Sequence, residues 1–370
     1  MLNHEDYIRR CFTLARRGAG TTSPNPMVGA LLLHPTSGKI LAEGYYAKDG
    51  GPHAEVMAVR NVSPQDRPLL SSSTLYVSLE PCCIYGRTPP CTKLIIEHKI
   101  PKVVISCIDK TPGVGGQGVQ LLREAGVEVI TGILEEEGLA LSANRQVFVS
   151  EHRPYVVLKF ARSADGFFAQ PGRQVWLSNP YSRRLVHKWR SELDAIMVGT
   201  QTALIDHPSL TTRFYPGSSP LRIALDRALK IPPQSPLFDG QAPTWIVTER
   251  APSATLAPNV KYKQLSFDQQ LLPSLLRMLA DHRVSSLMVE GGAQLLNSFI
   301  EQGLWDEARV LSSPVHLGAG IAAPGIPASA RCIGEIAQDR LYRYLAIPKL
   351  YRTGKHVIRA SGERLGLLMG

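Results

Sequence analysis

Apolar positions along the first 150 residues alternate between two spacings. Ile8, Cys11, Phe12, Leu14 and Ala15 recur at helical intervals, predicting a helix over Tyr7–Arg17 that Ser23-Pro24-Asn25-Pro26 ends. Val28–Leu33 and Ile40–Tyr45 then read as strands about a turn at Thr36-Ser37-Gly38-Lys39. A second helix opens at His53, with Val56, Met57 and Val59 expected to pack inward. Thr74–Leu79 is a predicted strand and Lys93–His98 a helix, followed by the apolar strand Val103–Cys107. A glycine-rich loop, Gly113–Gly118, leads to a helix ending near Gly126 and a strand Val127–Ile130. Strands that alternate with helices imply an α/β sheet covered by helices.

The pattern restarts between about residues 146 and 153, so two domains are expected, residues 1–148 and 149–370. No low-complexity linker divides them, and no internal repeat is found. Strands are predicted at Pro154–Ala161, Ala195–Gly199, Leu221–Leu225, Thr244–Thr248 and Ser286–Val289, and a helix at Pro180–Trp189. Glu290-Gly291-Gly292-Ala293-Gln294 joins the last of these strands to a helix, as a phosphate cradle does, and equally as a tight turn does. From Asp306 the tail is strand-rich, with a possible hairpin.

Composition narrows the class. The chain has 370 residues, 44% hydrophobic and 19% charged, as soluble globular proteins have. Met1-Leu2-Asn3-His4-Glu5-Asp6 is not a signal peptide, and no apolar run reaches membrane-spanning length. Six cysteines over this length do not make a disulfide scaffold, so the cytoplasm is the expected compartment. The net charge of +10 suits nucleic acid or a phosphorylated small molecule. The basic residues are scattered among acids, which favours the small molecule; neither a nucleic-acid partner nor a membrane is expected.

The chemistry concentrates in His53-Ala54-Glu55 and Glu80-Pro81-Cys82-Cys83, with Cys91 following. One imidazole and two thiolates, His53, Cys82 and Cys91, offer three ligands to Zn2+ and leave one position open. Zinc makes water nucleophilic near neutral pH, and Glu55 is spaced to carry protons to a leaving amine. This histidine-x-glutamate and proline-cysteine pattern is the one that the zinc nucleobase deaminases use. A closed structural site with Cys83 as fourth ligand is the alternative, and it gives Glu55 no role.

These residues make the chain resemble the bifunctional deaminase–reductases of riboflavin biosynthesis over nearly its full length. The first half carries Ser23-Pro24-Asn25-Pro26-Met27-Val28-Gly29, His53-Ala54-Glu55, Glu80-Pro81-Cys82 and Gly86-Arg87-Thr88-Pro89-Pro90-Cys91. The second carries Leu158-Lys159, Ser163-Ala164-Asp165-Gly166, Trp176-Leu177-Ser178, Val198-Gly199-Thr200, Asp206–Arg213 and Val289-Glu290-Gly291-Gly292. The resemblance implies an N-terminal cytidine-deaminase-like zinc domain and a C-terminal dihydrofolate-reductase-like domain. The first would deaminate 2,5-diamino-6-ribosylamino-4(3H)-pyrimidinone 5′-phosphate, and the second would reduce its ribosyl chain to ribityl with NADPH. It implies NADPH contacts at Ala161, Trp176, Ser178, Thr202, Asp206 and Gly292, and substrate contacts at Lys159, Arg190, Leu210, Arg213 and Glu290. It also implies a homo-oligomer.

The chain departs from the family pattern at Tyr46, where a histidine is usual, at Cys83-Ile84, where Ser-His is usual, and at Asp109-Lys110-Thr111-Pro112. A paralogue acting on a related pyrimidine or purine, a deaminase of nucleic-acid bases, and a non-catalytic zinc protein are the competing readings. The second leaves the reductase motifs unexplained, and the third leaves Glu55 without a role.

Overall fold

The computed structural model describes residues 3–346, apart from 87–88, 112–114, 172–174 and 253–256. Arg87 and Thr88 of the cysteine-spacing motif, and Pro112 with the start of the glycine-rich loop, therefore lie outside the described residues. The chain forms two compact units: the residues up to Tyr155 with Leu276–Ser285, and Val156–Leu275 with the chain from Ser286 onward.

The first unit runs α1 (His4–Ala15), β1 (Gly29–His34), β2 (Lys39–Tyr45), α2 (Ala54–Arg60), β3 (Thr74–Leu79), α3 (Cys91–Glu97), β4 (Lys102–Cys107), α4 (Gln117–Glu124), β5 (Glu128–Ile130), α5 (Glu135–Leu141) and α6 (Ala143–Glu151). Its sheet has the order β2-β1-β3-β4-β5. β1 pairs antiparallel with β2 and β3, while β3, β4 and β5 run parallel. Both faces are covered, which is why the strands read as continuous apolar runs. Ala30, Leu32, Leu75, Val77, Val103 and Ile105 share a core with Ala54 and Ala58 of α2, Ile95 of α3 and Leu122 of α4. The alternate positions Leu31, Leu33, Tyr76 and Val104 pack instead with Ile8, Cys11 and Phe12 of α1. This period of two is the pleat of a strand.

Helix α2 differs from expectation in its inward face. Ala54, Glu55, Ala58 and Val59 are buried, whereas Val56 and Met57 are only half-buried. The cause is close docking on β2: a Cβ at Gly44 would collide with the backbone of Ala54 and Ala58, so the facing positions must be small. The region expected as a restart near 146–153 contains α6, a helix crossing residue 148.

The second unit runs β6 (Tyr155–Arg162), β7 (Phe167–Ala169), α7 (Pro180–Glu192), β8 (Ala195–Val198), α8 (Thr200–Asp206), β9 (Leu221–Leu225), β10 (Thr244–Thr248), β11 (Val260–Gln264), α9 (Leu271–Asp281), β12 (Ser286–Glu290), α10 (Ala293–Glu301), β13 (Glu307–Ser312), β14 (Ile321–Ala322), β15 (Arg331–Ile336) and β16 (Asp339–Leu345). Tyr155, and α9 from Leu276, are counted with the first unit. The nine-stranded sheet has the order β11-β10-β9-β8-β12-β6-β13-β16-β15. The hairpin expected in the tail is β15–β16, antiparallel, with β16 also antiparallel to β13. Strands β6 and β12 are neighbours, so Lys159 and Glu290 arise on adjacent strands.

Candidate functional site: a metal-ligand cluster and a buried cation–carboxylate cluster

In the first unit, two helix starts and a strand end converge. His53 is the N-cap of α2, Cys91 is the first residue of α3, and Cys82 lies just past β3. The donor atoms of His53, Cys82 and Cys91 all lie within 4.8 Å of one another, and Cys83 is not part of the group. His53 Nδ1 is 3.3 Å from Cys91 Sγ and 3.5 Å from Cys82 Sγ. Tetrahedral zinc with ordinary Zn–S and Zn–N bonds separates a sulfur from a nitrogen by about 3.6 Å. The donor set therefore fits that ion in both chemistry and spacing.

The two thiols and the nearby carboxyl shift one another's protonation. The hydrogen bond with Cys91, with help from His53, pulls the Cys82 thiol down to about 4, while the same bond holds Cys91 well above its ordinary value. Glu55, in the first turn of α2, is 3% exposed. Burial pushes its carboxyl up, against the pull of His53. A carboxyl raised in this way is better able to accept and return a proton near neutrality.

A cavity of about 320 Å³ opens beside the cluster, lined by His53, Glu55, Cys82, Tyr46 and Asn25 among others. Tyr46, one of the departures, stands edge-on to the His53 ring at 5.5 Å between centroids. Its hydroxyl accepts from Asn25 Nδ2 at 3.1 Å and from the Gly50 amide at 2.9 Å. Ile84, the second departure, also lines the cavity and is 50% exposed. Glu80 is a residue that motif reading left without a role. Its buried carboxylate accepts from the amides of Asp109 (3.2 Å), Gly116 (2.9 Å), Gly118 (2.9 Å) and Val119 (3.3 Å). It thereby ties the loop carrying Asp109 and Thr111, both cavity residues, to the strand end that presents Cys82. The hint in the sequence was an acid two residues before Cys82.

In the second unit, Arg190 of α7 grips Glu290 with two bonds, Nε–Oε1 at 3.1 Å and Nη2–Oε2 at 2.8 Å. Both side chains are 11% exposed. Burial alone would raise the Glu290 carboxyl, but Arg190 and Lys159 outweigh it and hold the group well below the usual carboxylate range. Desolvation lowers Lys159, against the pull of Glu290. Arg190 Nη1 also donates to the Thr211 carbonyl at 3.1 Å, fixing the loop that carries Leu210 and Arg213. Leu210 is buried at φ +54°, a left-handed conformation that a leucine adopts only when its surroundings hold it there. His187, which sequence reading missed, supplies one such hold: its Nδ1 accepts from the Arg213 amide at 2.9 Å.

Thr202 sits under the Gly291–Gly292 turn, where a Cβ on Gly291 would come within 3.0 Å of its methyl; both glycines have positive φ. Gly292 caps α10, as the strand–glycine–helix reading expected. Ala161 lies two residues beyond Lys159 on β6, and Asp206 ends α8. Trp176 is 65% exposed, with the Arg183 guanidinium 5.2 Å from its ring centre. Ser178 makes no hydrogen bond to the Lys159–Arg190–Glu290 cluster among the described residues. The structure thus brings Lys159, Arg190, Glu290, Leu210 and Arg213 into one neighbourhood and leaves Trp176 and Ser178 outside its bonded network.

Comparison with known proteins follows the same division. Residues 1–107 match the cytidine and deoxycytidylate deaminase zinc-binding region, and residues 154–331 match the RibD C-terminal domain. Riboflavin biosynthesis protein RibD of Aquifex aeolicus is 37% identical over 322 residues, 86% of this chain and 89% of the relative. The Synechocystis protein of the same name is 32% identical and covers 95% of this chain and 93% of its own. A crystal structure of a Thermotoga maritima diaminohydroxyphosphoribosylaminopyrimidine deaminase/5-amino-6-(5-phosphoribosylamino)uracil reductase superposes with a TM-score of 0.83 at 34% identity, covering 93% of this chain and 99% of that one. Acinetobacter baumannii RibD superposes at 0.81 and 30% identity, with 93% of this chain and 99% of that one covered. The chain belongs to the RibD family, the bifunctional enzymes of riboflavin biosynthesis that join a zinc-dependent deaminase to an NADPH-dependent reductase.

Proposed function

We propose that His53, Cys82 and Cys91 hold the zinc of the deaminase and that Glu55 carries its protons. The observation behind this reading is the convergence of three soft donors beside one buried carboxyl. Zinc, when bound there, supplies the Lewis acidity that makes water a nucleophile at neutral pH. Hydrolysis of the 2-amino group needs a proton taken from the attacking water and a proton given to the departing nitrogen. The Glu55 carboxyl does both in turn, and its burial matches its proton affinity to the task. Tyr46 and Asn25 shape the wall against which the pyrimidine ring rests.

In the reductase half, NADPH supplies the hydride. Lys159 Nζ holds the proton needed where negative charge develops on the opened sugar. Glu290 keeps that ammonium charged and oriented, and Arg190 fixes Glu290. Arg213 and the Leu210 backbone bind the substrate. Ala161, Trp176, Ser178, Thr202, Asp206 and Gly292 are assigned to the cofactor; the exposed indole of Trp176 suits stacking, and the Gly292 turn with α10 behind it suits an anion.

The two halves are assigned to residues 1–148 and 149–370, supported by the two family matches, which do not overlap. A homo-oligomer in the cytoplasm completes the reading. Among the described residues no helix is long and apolar enough to cross a membrane.

Zinc analysis of purified variants tests the ligand set. His53→Ala, Cys82→Ser and Cys91→Ser should each lose the metal, and Cys83→Ser should keep it. Zinc loss in Cys83→Ser with full retention in His53→Ala overturns the assignment.

A further inference from the structure

The cavity beside the zinc ligands has lining residues that the deamination chemistry does not use. Among them are Asp109, Thr111 and Arg145. Arg145 stands on α6, and its Nε is buried without a hydrogen-bond partner. Its guanidinium makes no ion pair with any described residue. Burial lowers its proton affinity, with Asp109 pulling the other way. An arginine keeps its proton even so. The molecule therefore holds a half-buried cation whose desolvation Asp109 offsets only in part, with Arg283 adding repulsion, and such a group is costly unless something pairs with it.

Two further features make this region receptive to an anion. The Thr111 hydroxyl oxygen is also buried without a partner and lines the same cavity. The carboxylates nearby are already engaged. Asp49 takes a bond from Asn25 at 2.7 Å and pairs with Arg283, of the first unit's own 276–285 segment, at 3.1 Å. Asp109 accepts from the Thr111 amide at 2.8 Å. The local balance thus leaves Arg145 as the cation in search of a counter-ion. The deaminase substrate carries one strongly anionic group, its 5′-phosphate. A guanidinium fork and a hydroxyl match phosphate oxygens in both geometry and charge.

We propose that Arg145, with the Thr111 hydroxyl, forms the phosphate-recognition end of the deaminase cavity. This rests on the deaminase reading above and deepens it: the zinc end would select the amidine carbon, and the Arg145 end would select the phosphorylated form over the free riboside.

The test uses full-length zinc-loaded enzyme and two substrates, the 5′-phosphate and its dephosphorylated counterpart, with ammonia release as the readout. The wild type should prefer the phosphate in kcat/KM by about 10–100-fold, the worth of one charge-assisted contact. Arg145→Met should bring that ratio close to unity, Arg145→Lys should restore part of it, and Thr111→Val should lower it several-fold. Inorganic phosphate provides an independent readout, raising the melting temperature of the wild type more than that of Arg145→Met or Arg145→Lys. If Arg145→Met fails to fold, the Arg145→Lys ratio and the phosphate shift decide. A preference unchanged in the arginine variants, or both substrates losing equally, overturns the subsite. Ammonia released from neither substrate by the wild type overturns instead the deaminase reading on which it rests.

Discussion

Removing Arg190 probes the reductase cluster at its most constrained point. Arg190→Ala deletes two bonds to Glu290 and one to the Thr211 carbonyl. Glu290, 11% exposed in the intact pair, is then left with Lys159 as its remaining nearby lysine or arginine cation among those that pull its carboxyl down. Breaking a buried ion pair from one side costs about 3–5 kcal/mol. The remaining lysine places this case at the lower end, near 3 kcal/mol. For a unit of this size that corresponds to a fall in melting temperature of about 6–12 °C. The effect also has a pH signature. Glu290 is depressed in the folded protein, so its stabilisation is full above the unfolded carboxylate pKa and disappears as pH falls through the folded value. Arg190→Ala should therefore differ most from wild type above about pH 5 and converge with it in strong acid. Function should fall in parallel, because this guanidinium holds the loop carrying Leu210 and Arg213 and balances the charge of Glu290 beside Lys159; kcat/KM for reduction should drop about 10–100-fold. Arg190→Lys keeps the charge without the fork and should recover only part of each loss. Thermal unfolding across pH, with NADPH oxidation on the deaminated substrate, measures both. Stability within about 0.5 kcal/mol of wild type and turnover within about twofold would refute the reasoning, since those are the figures for a surface charge.

Other outcomes follow from the same geometry. Glu55→Gln should keep zinc and fold but lose about 10²–10⁴-fold in ammonia release, and near-normal release removes Glu55 from the chemistry. His187 is pushed down to about 4 by burial and by Arg190 and Arg213, with Lys159 adding to this and Glu290 opposing it. As a buried neutral imidazole it stabilises the fold above its ordinary pKa of about 6.5, and that stability drains away as pH falls towards the folded value. His187→Asn, which keeps an acceptor for the Arg213 amide, should flatten the melting-temperature slope over that window; a slope unchanged from wild type contradicts the assignment. Trp176→Ala should weaken NADPH about tenfold, the worth of one stacked base, and leave stability unchanged, because the indole is 65% exposed. Fluorescence titration of NADPH reads this out, and unaltered affinity removes Trp176 from the cofactor site.

The sheet strands were legible where β-branched and aliphatic runs stand between turn residues. Thr74–Leu79, Leu221–Leu225 and Thr244–Thr248 agree with expectation to the residue. Helix α6 was not legible because it has no fully buried residue, so no apolar stripe marks it. Helix α9 was hidden by Pro273, which reads as a breaker but stands in the first turn, where its missing amide hydrogen is no loss. The grouping of His53, Cys82 and Cys91 could be read because each sits in a short motif whose residue types suit a metal ion. Glu80, Arg145 and His187 could not, since each takes its role from partners distant in sequence: amides of the loop after β4 and of the first turn of α4, a cavity wall, and the Arg213 amide. Tyr46 was noticed as a departure, but its bonds to Asn25 and Gly50 emerge only when the chain is folded.

The central claim is that one chain carries two successive reactions in a fixed order. The most direct test is to incubate the zinc-loaded protein with 2,5-diamino-6-ribosylamino-4(3H)-pyrimidinone 5′-phosphate, with and without NADPH, following ammonia and cofactor absorbance together. The account predicts stoichiometric ammonia in either case, NADPH oxidation that lags behind it, and loss of both signals in Glu55→Gln until the deaminated substrate is supplied, which restores oxidation alone. Oxidation of NADPH that precedes ammonia release, or that proceeds undiminished in Glu55→Gln on the diamino substrate, contradicts it.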